Sequence, residues 1–153
     1  MNLKDFIRSI PDYPKKGILF RDITTLIKDK NAFAETINQI VERSKKYNFT
    51  KIAAIESRGF LFASAVSYIL KKPFIMLRKK NKLPDEVHSV NFNLEYGTAT
   101  IEIHKDSIDK KDTVLIIDDQ MICVTHVGCV AVRTASIHSS ITSASCCGCD
   151  RIA

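Results

Sequence analysis

The pattern of apolar residues predicts an α/β fold built on a central parallel sheet, and three observations carry that prediction. First, the short apolar run KIAAI (51–55) leads into a glycine-containing turn and the segment FLFASAVSYIL, after which Pro73 opens PFIML. The order strand, turn, helix, strand is the βαβ unit of a parallel sheet. Second, Val114–Ile117 is wholly apolar, as expected of a strand buried on both faces, and Asp118 and Asp119 stop it. Third, 153 residues with 45% hydrophobic and 26% charged side chains suffice for one compact core and argue against wholesale disorder.

In chain order, Asn2 is suited to cap a short helix carrying Leu3, Phe6, Ile7 and Ile10, ended by Pro11. PDYPKKGILFRDI holds Pro11, Pro14 and Gly17 and is therefore extended or turned. A longer amphipathic helix starts at Asn31, with Phe33, Ile37, Ile40, Val41 and Ser44 on one face and Lys45 and Lys46 at its negative end. In the helix after Gly59, Leu61, Ala65 and Tyr68 or Ile69 recur at helical spacing. Arg78–Asp85 is a polar, lysine-rich loop. Ser89–Asn93 and Thr98–Ile103 read as strands joined by a turn at Glu95–Gly97.

Composition excludes several functions. No apolar run approaches the roughly 20 residues a bilayer span requires. The opening MNLKDFIRSI has no apolar signal core, which points to a cytoplasmic protein. The net charge is +6, of which +5 lies in residues 1–119, and this suits an anionic ligand. A nucleic-acid binder is disfavoured, because neither a basic helix nor an aromatic platform accompanies the lysines.

Ligands of open α/β sheets bind beyond the carboxyl ends of the strands. Two such ends are loaded with chemistry here. In Glu56-Ser57-Arg58-Gly59 the turn permits backbone N–H groups, a helix N-terminus and the Arg58 guanidinium to face an anion; the alternative is a plain strand–helix turn with a surface arginine. Asp118 and Asp119 suit the vicinal hydroxyls of a ribose or Mg²⁺ held through water, unless one caps a helix and the other is solvated. Arg78, Lys79, Lys80 and Lys82 either close over phosphates or form a solvated face. Glu95, in NLEYG, is a carboxylate in a tight turn with acid–base potential.

Taken in order, PDYPKKGILFRDIT, IESRGFLF, RKKNKLP, NLEYGTATIEIHKD and VLIIDD resemble the adenine phosphoribosyltransferase family, across roughly residues 5–119. The resemblance implies a Rossmann-like type I phosphoribosyltransferase core with a hood segment (1–30) and a core with a flexible flap (31–119). It implies transfer of ribose phosphate from phosphoribosyl pyrophosphate to N9 of adenine, giving AMP and pyrophosphate, with Mg²⁺ and commonly a homodimer. It places Leu19, Phe20 and Arg21 at adenine. Ser57, Arg58, Gly59, Arg78, Lys79, Lys82 and Tyr96 go to the pyrophosphate and phosphoribosyl groups, with Lys82 and Tyr96 on the flap. Glu95 becomes the acid–base residue near N7, with Arg58 and Lys82 also catalytic, and Asp118 and Asp119 serve the ribose and its metal. A family arginine reaches the neighbouring subunit's site, and Arg78 is the candidate.

The resemblance stops after the paired acids. The family continues with a loop of the type LLATGGT and a helix, whereas this chain reads Gln120, Met121, Ile122, Cys123, Val124, Thr125, His126. Neither glycine of a phosphate cradle is present, and β-branched Ile122 and Val124 disfavour positive φ. From Gln120 onward there is no lysine, and all five cysteines (Cys123, Cys129, Cys146, Cys147 and Cys149) fall there. Their spacing fits no paired C-x₂-C zinc site, so no metal is expected from them. Residues 120–153 thus read as a divergent, poorly ordered tail from an altered reading frame or sequence. An impaired transferase is one consequence; a catalytically inactive homologue that still binds adenine or nucleotide is the alternative.

Overall fold

The computed structural model describes residues 1–94, 97–118, 121–126 and 149–151. The chain divides into two compact units, residues 1–43 and 44–152.

In the first unit, the Asn2 side chain accepts a hydrogen bond from the Lys4 N–H at 3.3 Å and starts a 3₁₀ turn over Leu3–Phe6. The helix expected to reach Ile10 ends there. Arg8–Pro11 instead forms strand β1, antiparallel to β2 (Leu19–Asp22), with Ile10 opposite Phe20. A one-turn helix is a weak competitor, and the hairpin adds an ion pair, with Arg8 Nε donating to Asp22 at 3.0 Å. That contact and the Thr24 N–H hold the Asp22 carboxyl down at about 2. The connection turns through Gly17, whose φ of 89° favours glycine and whose N–H donates to the Asp12 carboxylate at 2.7 Å. Asp22 also accepts from Thr24 N at 2.9 Å and begins α1 (Thr24–Lys28), a short helix the periodicity does not announce.

Helix α2 (Lys30–Ser44) follows. Asp29 caps it, accepting from the N–H groups of Asn31 and Ala32 at 2.9 and 2.8 Å. Ile37, Ile40, Val41 and Ser44 are buried, as their spacing predicts, together with Ala32 and Thr36. Phe33 is only half-buried.

The second unit is built on a seven-stranded sheet, in the order β5-β6-β4-β3-β7-β8-β9. Its centre is parallel: β3 (Lys51–Ile55) lies between β4 (Phe74–Lys79) and β7 (Thr113–Ile117). The flanks are antiparallel. The hairpin of β5 (Val87–Leu94) and β6 (Gly97–His104) joins β4, while β8 (Met121–His126) and β9 (Cys149–Arg151) extend from β7. The sheet is therefore mixed, with only three parallel strands at its heart. Two segments of the divergent end, β8 and β9, belong to it. Ile122, Val124 and Thr125 are β-branched and suit a strand where the family type has a loop and helix.

Helix α3 (Arg58–Leu70) packs on β3, β4 and β7. Its buried residues are Gly59, Phe62, Ala63 and Val66. Leu61, Tyr68 and Ile69, the stripe singled out from spacing, face outward, with Tyr68 85% exposed. Two contacts set the helix's rotation: Phe60 meets Phe74 edge-on at 5.9 Å, and Gly59 sits against the Ile117 carbonyl. Ile52, Leu115, Ile117 and Val66 are fully buried, each worth about 1.5–3 kcal/mol of transfer free energy. Among the described residues no helix is long and apolar enough to cross a membrane.

Candidate active site

Because β4, β3 and β7 are parallel, their carboxyl ends lie along one edge of the sheet. The residues after Ile55 and Ile117, and the last residues of β4, therefore meet there.

The turn after β3 is tight. The Glu56–Ser57 peptide is cis, the Glu56 N–H donates to the Leu77 carbonyl at 2.9 Å, and Ser57 precedes the first turn of α3 without a side-chain cap. Ser57 and Arg58 are exposed, so the helix's first N–H groups and the guanidinium border one open region. Gly59 is required by space. A Cβ there would lie 2.7 Å from the Ile117 carbonyl oxygen and 3.4 Å from Asp118 Cα. Its absence lets the start of α3 approach the end of β7, which brings Arg58 and Asp118 to the same edge. Asp118 is half-buried.

The basic loop begins inside β4. Arg78 sits 3.4 Å from the Glu56 carboxylate through Nε, and its Nη1 donates to the Lys82 carbonyl at 3.0 Å. The candidate for reaching a neighbouring subunit is thus engaged within its own chain. Glu56 also accepts from the Lys79 N–H at 2.9 Å. That hydrogen bond, with the Arg78 charge, lowers the Glu56 pKa below the usual carboxylate range despite desolvation. Asn81 adopts φ 63° and donates its N–H to Glu102 at 2.9 Å. Lys79, Lys80 and Lys82 remain exposed.

Two carboxylates of this edge have no role in the sequence reading: Glu56 and Glu102. The sequence gives no signal for Glu102: in TATIEIHK it falls on the polar side of the alternation, with Thr98, Thr100 and His104, where a solvated side chain is expected. In the register Glu102 stands opposite Arg78.

The adenine candidates belong to the first unit. Leu19 and Arg21 are exposed, and Phe20 meets Tyr13 edge-on at 5.2 Å. The Arg21 guanidinium contacts the Ser9 hydroxyl. Glu95, Tyr96 and Asp119 lie outside the described residues; the last described pair of the β5–β6 hairpin is Leu94 opposite Gly97. Among the described residues no three His, Cys, Asp or Glu side chains converge as a metal cluster.

The chain matches the phosphoribosyl transferase domain family over residues 23–122. An adenine phosphoribosyltransferase of Pelagibacter ubique is 83% identical over 119 residues, which are 78% of this chain and 68% of that protein. One from Kosmotoga olearia is 51% identical over 119 residues, covering 78% of this chain and 70% of its own. A crystal structure of the Thermoanaerobacter pseudethanolicus adenine phosphoribosyltransferase superposes with a TM-score of 0.74 at 46% identity, over 76% of this chain and 68% of that one. The Saccharomyces cerevisiae enzyme, solved with an iminoaltritol bisphosphate and adenine, gives 0.70 at 32% identity, over 76% and 69%. With a matching family domain over most of its length and relatives this similar, the chain belongs to the adenine phosphoribosyltransferases, glycosyltransferases of the phosphoribosyl transferase family.

Proposed function

We propose that this chain transfers the ribose phosphate of phosphoribosyl pyrophosphate to N9 of adenine, forming AMP and releasing pyrophosphate. The observation that carries this reading is the concentration of exposed cations at one sheet edge: Arg58 at the start of α3, and Lys79, Lys80 and Lys82 after β4. The reaction develops positive charge on the sugar carbon and adds negative charge to the departing pyrophosphate. Preorganised cations stabilise that leaving group most as it departs. Arg58, Lys79 and Lys82 take this role, with Arg78 adding charge and Ser57 and Gly59 offering backbone N–H groups. Closure of the flap carrying Lys82 and Tyr96 keeps water from the sugar.

Glu95 exchanges a proton near N7 of the base. Leu19, Phe20 and Arg21 hold adenine, the apolar side chains lying along the ring and backbone groups reading its polar edge. Asp118 and Asp119 accept hydrogen bonds from the ribose hydroxyls. Their oxygen donors are also the kind a hard, water-retaining cation takes, so they are the residues that would hold Mg²⁺. When bound, Mg²⁺ neutralises pyrophosphate charge. The working unit is proposed to be a cytoplasmic homodimer.

Residues 120–126 contain no glycine, and we expect the 5′-phosphate to be held less tightly than by a family-type loop. The test is AMP formation from adenine, phosphoribosyl pyrophosphate and Mg²⁺, with guanine and hypoxanthine in parallel. AMP from adenine alone supports the reading. Adenine binding without AMP would establish a non-catalytic homologue instead, a reading none of the named relatives favours.

A further inference from the structure

The segment Arg78-Lys79-Lys80-Asn81-Lys82 carries four cations in five residues. Like charges so close repel, and a segment of this composition carries no apolar side chain to bury. It is nevertheless tied down at its backbone. Glu56 accepts the Lys79 N–H at 2.9 Å, Glu102 accepts the Asn81 N–H at 2.9 Å, and Arg78 reaches across to the Lys82 carbonyl at 3.0 Å. Asn81, at φ 63°, reverses the chain between these ties.

Glu102 is the unexpected member. It is only 6% exposed, on β6, and besides the Asn81 N–H it accepts from the Ser89 hydroxyl at 3.4 Å. A carboxylate taken out of water is costly unless hydrogen bonds hold it, and the bond it makes is to a loop amide. A carboxylate that gripped a lysine ammonium would remove that cation from a ligand. Glu102 binds the backbone instead, so its charge steadies the loop and leaves the side chains of Lys79, Lys80 and Lys82 exposed.

We propose that Glu102, assisted by Glu56, is a positioning residue that fixes the Asn81 backbone so that the lysines of this loop meet the pyrophosphate group together. The proposal rests on the transferase reading above and identifies what sets the geometry of its anion site. It divides the work of the loop: two carboxylates hold the main chain, and three ammonium groups hold the ligand.

The test uses the purified full chain. Calorimetry with pyrophosphate and Mg²⁺ measures the site without turnover, and initial rates give KM for phosphoribosyl pyrophosphate and for adenine. Glu102→Ala is expected to weaken pyrophosphate binding and raise KM for phosphoribosyl pyrophosphate about tenfold, the scale of one lost charge-assisted hydrogen bond. KM for adenine should stay within about twofold. Glu102→Gln, which keeps an acceptor for the Asn81 N–H, should restore most of the affinity. Glu102→Asp retracts the carboxylate by one methylene, is the gentler substitution should the alanine variant not fold, and should show the same selective loss. A folded Glu102→Ala or Glu102→Asp protein with unchanged pyrophosphate affinity overturns the proposal, as does an equal loss for adenine and for pyrophosphate. If the unsubstituted chain binds no pyrophosphate and forms no AMP, the transferase reading fails, an outcome distinct from a variant that behaves like its parent.

Discussion

The two ends of the parallel strands treat charge in opposite ways. At the amino ends of β3 and β7, Lys51, Thr50 and Asp112 close on one another. The Lys51 ammonium lies 2.7 Å from the Asp112 carboxylate and donates to the Ser107 carbonyl at 2.9 Å, while Asp112 also accepts from the Thr50 hydroxyl at 2.7 Å and the Asp109 N–H at 2.8 Å. At the carboxyl ends, the carboxylates Glu56 and Glu102 are spent on backbone amides, and the lysines beside them stay exposed. One end of the sheet engages its lysine internally, whereas the other holds Arg78 against Glu56 and leaves its lysines exposed. The same strands therefore serve stability at one edge and, in the proposed reaction, ligand charge at the other.

The contrast breaks most severely at Gly59. Gly59→Ala places a methyl group 2.7 Å from the Ile117 carbonyl, a contact with backbone that no side-chain rotation relieves. Helix α3 must move away from β7, carrying Arg58 from its place. Displacement on the ångström scale costs about a hundredfold in rate, so AMP formation should fall by about that factor, read by initial rates at saturating substrates. A variant as active as its parent would show that the close approach of α3 and β7 is not needed.

Arg58→Ala is the next largest. It removes a planar donor from the open edge without touching the core, and the expected loss is about 10–100-fold in kcat/KM for phosphoribosyl pyrophosphate. Arg58→Lys should recover only part of it, because an ammonium cannot reproduce the two-pronged donor. Urea unfolding midpoints should change far less than the rates. A fall in midpoint that tracks the fall in rate would return Arg58 to a structural role.

Asp112→Ala acts at the opposite edge and should have the opposite profile. It leaves the Lys51 ammonium, the Thr50 hydroxyl and the Asp109 N–H without their shared acceptor. The expected cost is about 2 kcal/mol of unfolding free energy, measured by urea titration, with KM values unchanged at temperatures where the variant is folded. A selective effect on KM would mean the two edges are coupled.

Which parts were legible in the sequence follows from the range of the interactions that decide them. The strands at 51–55, 74–79 and 113–117 are local apolar runs, and so were predictable. The turn at Glu56–Gly59 and the place of Asp118 were legible by their position at strand ends. Strand β1 was not, because it depends on pairing with residues near 20 and on the Arg8–Asp22 contact. The rotation of α3 was not, because Leu61 and Phe62 are equally apolar and only long-range contacts, Gly59 with Ile117 and Phe60 with Phe74, select between them. The antiparallel flanks escaped for a similar reason: alternation marks Thr98–Ile103 as a strand but does not name its neighbour. Glu102 escaped because its function lies in a hydrogen bond to a residue far away in the chain.

The smallest expected effect is also the one that isolates the amino-end network by pH alone. Lys51 and the Asp109 N–H hold the Asp112 carboxyl at about 2, below its ordinary 3.8. A group whose folded-state pKa is depressed binds its proton more readily when unfolded, so its stabilisation is fully present above about 3.8. It is lost progressively as pH falls through that value towards about 2. Asp22, held at about 2 by Arg8 and Thr24, titrates over the same window in the other unit, and would blur the measurement. The comparison is therefore between the parent and Asp112→Asn, each unfolded with urea at a series of pH values between 5 and 2. The parent should lose more stability over that range than the variant, since both keep Asp22 and only the parent keeps Asp112. Equal slopes would mean that the Asp112 carboxylate makes no net contribution when charged. The contrast between a closed edge and an open one would then rest on geometry, with no difference in how the two edges stabilise charge.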